Sequence, residues 1–181
     1  SLVDFYKRLK ELEETFDKPH LLGCIITEGG TAPNIVPDRA TLKATVRALD
    51  TDYLEDVMLP QIKELAVEVA KDHHTPVETE HYEPLYKNMI NNAALNVYFI
   101  EAFNALHEEF GVYEEEDAEG STDVGNVSHV TRAAQPEIAI GYHINAHTPE
   151  FATAANSDFA YIQALTGAKA MAAVAAEVLF E

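Results

Sequence analysis

Tryptophan is absent, cysteine occurs once, and only 12 residues are Lys or Arg against 31 Asp or Glu in a chain of 181. A single thiol excludes an internal disulfide. Cys24 sits in the apolar run Leu21-Leu22-Gly23-Cys24-Ile25-Ile26, where a buried and inert side chain in a reducing compartment is expected. The formal charge of -19 argues against nucleic acid or an anionic membrane as partner, since both require a basic surface. No apolar stretch is expected to reach the roughly 20 residues of a membrane span. Ser1-Leu2-Val3-Asp4-Phe5 also lacks the basic n-region and apolar h-region of an export signal, so a cytoplasmic location is expected. Metal motifs are missing as well: there is no H-E-x-x-H, no C-x-x-C and no His-x-Asp. The acidic run Glu114-Glu115-Glu116-Asp117 reads as solvated loop.

What is present is strong periodicity. Leu2, Phe5, Tyr6, Leu9, Leu12 and Phe16 recur at helical spacing and predict an amphipathic helix over 2–16, ended near Pro19. Its immediate start suggests that a preceding portion has been cut away. Residues 21–27 suit a strand. Residues 41–49 alternate strictly, with Leu42, Ala44, Val46 and Ala48 on one face and Arg47 on the other. Between these strands, Gly29 to Asp38 forms a shaped loop rich in glycine and proline rather than a two-residue turn. A second helix is expected from Asp52, the predicted cap, to about residue 72, kinked at Pro60. A further strand is expected over 77–83.

Helix, strand, strand, helix, strand is a ferredoxin-like order short of its first strand. After a hinge at Pro84–Asn92 the pattern changes. A helix over 92–110 stopped by Gly111, a short strand, a helical turn, a strand over 137–142 and an alanine-rich helix from about Ser157 to Phe180 imply a parallel sheet covered by helices. Two strands make a poor parallel sheet, so this portion reads as the tail of a larger domain. The expected class is therefore α/β overall, an α+β unit over 1–86 followed by part of an α/β domain over 87–181.

Two loops carry candidate chemistry. His147 lies just past the expected strand 137–142, in the kind of loop where hydrolytic sites are built. A catalytic zinc takes about three protein ligands plus an open position, so a lone imidazole reads as part of a site completed elsewhere. For an unaccompanied histidine the plain reading is a satisfied loop residue, and His143, four residues earlier, reads as structural. Gly120, Ser121 and Thr122 stand at a predicted helix start, where backbone amides and hydroxyls can receive an anion. Asp123 beside them reads as a cap.

Gly29-Gly30-Thr31-Ala32-Pro33-Asn34-Ile35-Val36-Pro37-Asp38, leading into the strand that ends in Val46-Arg47, resembles the lid-domain motif of the two-domain dinuclear zinc amidohydrolases and peptidases. That family includes aminoacylases, carboxypeptidase G-like enzymes and aminobenzoyl-glutamate hydrolases. Gly120-Ser121-Thr122-Asp123-Val124-Gly125, followed by His147-Thr148-Pro149-Glu150-Phe151, resembles its C-terminal catalytic motifs. The resemblance implies a ferredoxin-like lid and dimerisation domain followed by the C-terminal segment of a parallel-sheet zinc-peptidase domain. It implies His147 as a metal ligand, and Asn34, Arg47, Gly120, Ser121 and Thr122 as substrate-binding residues, with no catalytic acid or base in this chain. It further implies two zinc ions in the complete enzyme, with manganese or cobalt as alternatives, and a homodimer formed through the lid.

The expected substrate is a small amide: an N-acyl amino acid, a dipeptide or an aminobenzoyl-glutamate-like molecule. The His-x-Asp and Glu-Glu motifs of the family's N-terminal catalytic portion have no counterpart here, nor has the lid histidine that reaches a neighbouring site. The chain alone is therefore expected to be inactive. The rival reading is a non-catalytic dimerisation or ligand-binding module derived from that family.

Overall fold

The computed structural model describes residues 1–106 and 120–180. The end of the expected helix at 107–110, its Gly111 stop and the acidic run at 114–117 lie outside these residues. Helices combine with a two-stranded antiparallel sheet, a mixed architecture compatible with the α+β class. Contacts divide the chain into two units, Ser1–Asn88 and Met89–Glu181.

In the first unit, α1 (Leu2–Glu13) precedes β1 (His20–Glu28), which pairs with β2 (Thr41–Ala48) in the register Leu22↔Val46 and Cys24↔Ala44. The alternation of β2 does what its period requires: Leu42, Ala44, Val46 and Ala48 turn inward while Lys43, Thr45 and Arg47 are exposed. Cys24 is half-buried rather than buried, because among the described residues the sheet has two strands to cover it.

The second helix begins with α2 (Thr51–Tyr53), capped by Asp50 rather than Asp52: the Asp50 carboxylate accepts from the Tyr53 amide at 3.1 Å. The Lys18 ammonium, and then that amide, hold the Asp50 carboxyl below its ordinary pKa. A π-helical turn over Leu54–Met58 leads into α3 (Leu59–Asp72). Pro60 has no N–H to return to the preceding turn, and the widened π turn absorbs the fault that the sequence predicted as a kink. Tyr53, Leu54 and Met58 form the core, with Phe16, Val46, Ala48 and Leu85 packed around them.

Helix α1 lies against α3. Arg8 bridges Asp4 and Asp72 at 3.0 Å each, and His73 Nε2 lies 3.0 Å from Asp4 Oδ2. The His73 hydrogen bond, ahead of the Arg8 charge, holds the Asp4 carboxyl below its ordinary pKa. The apolar side chains beneath carry the stability. Met58 is fully buried, so Met58→Ala should destabilise this unit by about 2–5 kcal/mol through lost burial and a residual cavity. Equilibrium denaturation giving less than about 1 kcal/mol would show that the site collapses freely.

Residues 77–83 form no strand. The alternation is real, but the segment docks by side chains: Tyr82 Oη meets Thr45 Oγ1 at 3.2 Å and its ring receives Lys43 at 5.2 Å. No backbone ladder to β2 forms.

The second unit is helical among the described residues. It comprises α4 (Ala93–Ala105), α5 (Val124–Ser128), α6 (Pro149–Ala155) and α7 (Asp158–Phe180). Asn92 caps α4 through the Leu95 amide. Ala102, Phe103, Ala170 and Val174 form the core between α4 and α7, with Phe99 stacked on Phe103. The expected strand at 137–142 is absent. Ile138 instead packs on that helical core, and without a neighbouring strand among the described residues its backbone has no ladder to join.

Helix α7 overturns one expectation. By length and composition it is apolar enough to cross a membrane. Alanines and scattered charges at Asp158, Lys169 and Glu177 hide that run from a simple reading of the sequence.

Candidate functional site

Arg47 stands on the exposed face of β2 opposite Leu21. Period-two geometry places it there together with Thr45 and Lys43. Arg47 is not without a partner. A short way upstream, the Ile35 amide donates to the Ala32 carbonyl at 3.2 Å, closing a turn with Pro33 and Asn34 at its centre. Proline's fixed φ suits the first central position, and Asn34 takes the second with its amide exposed.

Gly30 has φ 117°, and a Cβ there would fall 2.7 Å from the Pro37 ring. Glycine is thus required twice over, by conformation and by space. The loop surrounds an open hollow of about 480 Å³ lined by Gly29 to Pro33, Ile35 and Pro37. A slightly larger hollow of about 520 Å³ lies between α3 and residues 81–85, lined by Glu55, Leu59, Lys63, His81 and neighbours. It contains none of the residues singled out by sequence. The loop hollow is the better candidate, since it adjoins Asn34 along the chain and is built by the glycines and prolines of the motif.

In the second unit, Gly120, Ser121 and Thr122 precede α5. The Thr122 hydroxyl accepts from the Val124 amide at 3.3 Å, and Asp123 makes no side-chain cap. One amide at this helix start is therefore already occupied by the protein. With only five residues, α5 contributes little dipole. Ser128, which the sequence did not single out, is buried: it accepts from the Ile90 amide at 2.9 Å and donates to the Gly125 carbonyl at 2.6 Å, fixing α5 to the start of the unit.

His147 is held by a device the sequence spells out. Thr148 caps α6: its hydroxyl accepts from the Phe151 amide at 3.2 Å and donates to the Asn145 carbonyl at 2.8 Å. Pro149 occupies the first turn, where its missing N–H costs nothing. His147 itself is exposed with φ 63°, and His143 is exposed with φ 56°. Left-handed backbone is uncommon outside glycine and marks positions that the surroundings over-determine. Histidine is one of the types enriched there, but nothing in the surrounding motif marked these positions.

Among the described residues no three His, Cys, Asp or Glu side chains converge as a metal site. The described donors therefore do not make a metal centre by themselves, and His147 offers one imidazole.

No protein-family model matches the chain. The mouse Xaa-Arg dipeptidase is 32% identical over 183 aligned residues, 97% of this chain and 41% of that protein. Its human counterpart is 32% identical over 160 residues, 87% of this chain and 36% of that protein. These relatives support a peptidase or amidohydrolase relationship, and the chain spans about two fifths of their length.

Proposed function

We propose that this chain is the lid and C-terminal portion of a metal-dependent hydrolase of small amides, with dipeptides ending in a basic residue as the leading substrates. One observation carries the reading: alignment with a dipeptidase runs through nearly the whole chain, so it takes in both loops that hold the candidate residues. The formal charge of -19 agrees with it, because an acidic protein concentrates cationic dipeptides by long-range attraction. N-acyl amino acids and aminobenzoyl-glutamate-like molecules are the other members of the class.

In this reading residues 1–86 form the ferredoxin-like lid and 87–181 belong to the catalytic domain. Arg47 forks onto the substrate carboxylate with two charge-assisted hydrogen bonds. Asn34, presented by its turn, donates to the oxyanion that develops on the scissile carbonyl. Gly120, Ser121 and Thr122 supply further donors to an anionic group. His147 gives its imidazole to a site of two zinc ions, with manganese or cobalt as alternatives. The remaining donors and the general base come from an N-terminal catalytic portion. The relatives' greater length leaves room for it.

The test is a hydrolysis panel on the complete enzyme, comparing Xaa-Arg and Xaa-Lys dipeptides with Xaa-Glu, N-acetyl amino acids and aminobenzoyl-glutamate. Cleavage of the basic dipeptides at the highest kcat/KM is expected, and failure to cleave any member sinks the proposal. In that case the non-catalytic module, favoured by the lack of converging metal donors among the described residues, becomes the reading.

The complete enzyme should also be a homodimer through the lid, joined by α1, α2–α3 and the neighbouring strands. A strict monomer by light scattering at high micromolar concentration counts against this.

A further inference from the structure

The segment 77–83 is fastened to β2 through Tyr82, on the same face that carries Arg47. Lys43, Thr45 and Arg47 stand at alternate positions of β2 and are exposed together. The two cations are about 13 Å apart along the strand, four steps of about 3.3 Å. Thr45 lies between them, and its partner on β1 is Gly23. A Cβ at Gly23 would meet nothing within 4 Å, so at this register β1 sends no side chain between the cations. Tyr82 comes in there from outside the sheet. Its Oη lies 3.2 Å from Thr45 Oγ1, and the Lys43 ammonium rests over its ring, 5.2 Å from the centroid.

Such a tyrosine does more than anchor a segment. An aliphatic side chain would pack the segment as well, but it offers no ring face to an ammonium and no hydroxyl to Thr45. The two contacts act together: the bond to Thr45 fixes the ring, and the ring fixes the direction in which Lys43 extends.

We propose that Tyr82 is a specificity-determining residue, which withholds the Lys43 ammonium from the substrate and leaves Arg47 to meet the carboxylate. This rests on the hydrolase reading above and names what sets the C-terminal side chain that the site accepts. A flexible ammonium four positions from Arg47 is drawn to any anion bound there. While Tyr82 holds it, a basic C-terminal side chain meets one cation of this face instead of two. Once released, it repels the side chains of arginine and lysine and attracts the second carboxylate of a glutamate. Tyr82 thus acts through Lys43, as a positioning residue.

The test is the ratio of kcat/KM for an Xaa-Arg dipeptide to that for the matching Xaa-Glu dipeptide, measured on the complete enzyme and its variants. Tyr82→Leu is expected to lower the ratio by about 10-fold, the scale of one partly screened unit charge brought near the substrate side chain. Adding Lys43→Met to Tyr82→Leu should restore it. Tyr82→Phe keeps the ring and loses the bond to Thr45, and should retain most of the selectivity. A merely structural tyrosine gives a different pattern: both substrates lose alike, and Lys43→Met restores nothing.

If Tyr82→Leu does not fold, Lys43→Met with Tyr82 in place decides. The ratio should then stay within about twofold of the parent, because the charge removed was already withheld. A larger rise overturns the proposal, since the ammonium would already act on the substrate. An enzyme that cleaves neither dipeptide fails the hydrolase reading, and this inference with it. One that cleaves dipeptides with a ratio unchanged by Tyr82→Leu, or with a loss that Lys43→Met does not reverse, overturns this inference alone.

Discussion

Replacing His147 by alanine in the complete enzyme is expected to remove nearly all hydrolysis and to deplete bound metal. Loss of an outer hydrogen-bonding partner of a metal ligand already costs about 10- to 100-fold, so loss of the ligand itself should exceed about 100-fold in activity. The backbone supplies a control. His147 sits at φ 63°, a conformation that glycine reaches without strain and a side chain does not. His147→Gly should therefore fold at least as stably as the parent while losing the same activity. A glycine variant that keeps its metal and its turnover would falsify the ligand assignment, because only the imidazole distinguishes the two proteins. The 181-residue chain should show neither stoichiometric metal nor turnover, since a single imidazole cannot hold a catalytic ion.

This separation of imidazole from backbone also shows where sequence ran out. The period of two in Thr41–Ala48 revealed both the strand and the exposed face of Arg47, because alternation is imposed by the pleat itself. The same logic failed at 77–83 and 137–142. Alternation shows what a strand would bury, but a strand exists only where a neighbour completes its hydrogen bonds, and side chains such as Tyr82 and Ile138 found other partners. The cap at Asp50 was missed for a local reason: Asp50 and Asp52 are equally suited by type, and the extended backbone at Asp50 decides between them.

At the candidate site the case is similar. Thr148-Pro149 is a helix-start signal, so the motif carrying His147 doubles as the opening of α6, which sequence reading had not separated from the chemistry. The turn at Pro33-Asn34 suits both residue types, although the glycines and prolines of the loop had indicated only that it is shaped. The left-handed conformations of His143 and His147 had no such signature. Nor could composition show which apolar face of α7 is left uncovered, because that depends on where α4 packs.

Arg47→Ala in the complete enzyme is expected to lower kcat/KM on carboxylate-bearing substrates by about 10- to 100-fold. A hydrogen bond to a charged group contributes roughly 1.5–3 kcal/mol, which is the range that this loss in rate reflects. The position predicts how the loss divides. Arg47 projects from a regular strand whose register with β1 is continuous from His20 to Ile26, so its side chain can be removed without disturbing the inward face formed by Val46 and Ala48. An exposed pair typically contributes about 1 kcal/mol or less, so stability should fall by no more than that, and the effect on rate should follow the substrate's carboxylate. Esterified or amidated dipeptides, which lack that group, should lose little from the substitution. Lysine at 47 should restore the effect only in part, because a point charge cannot reproduce the two parallel bonds of a guanidinium fork. Equal losses on substrates with and without a free carboxylate would place Arg47 in a structural role, and kinetics identical to the parent would remove it from the site.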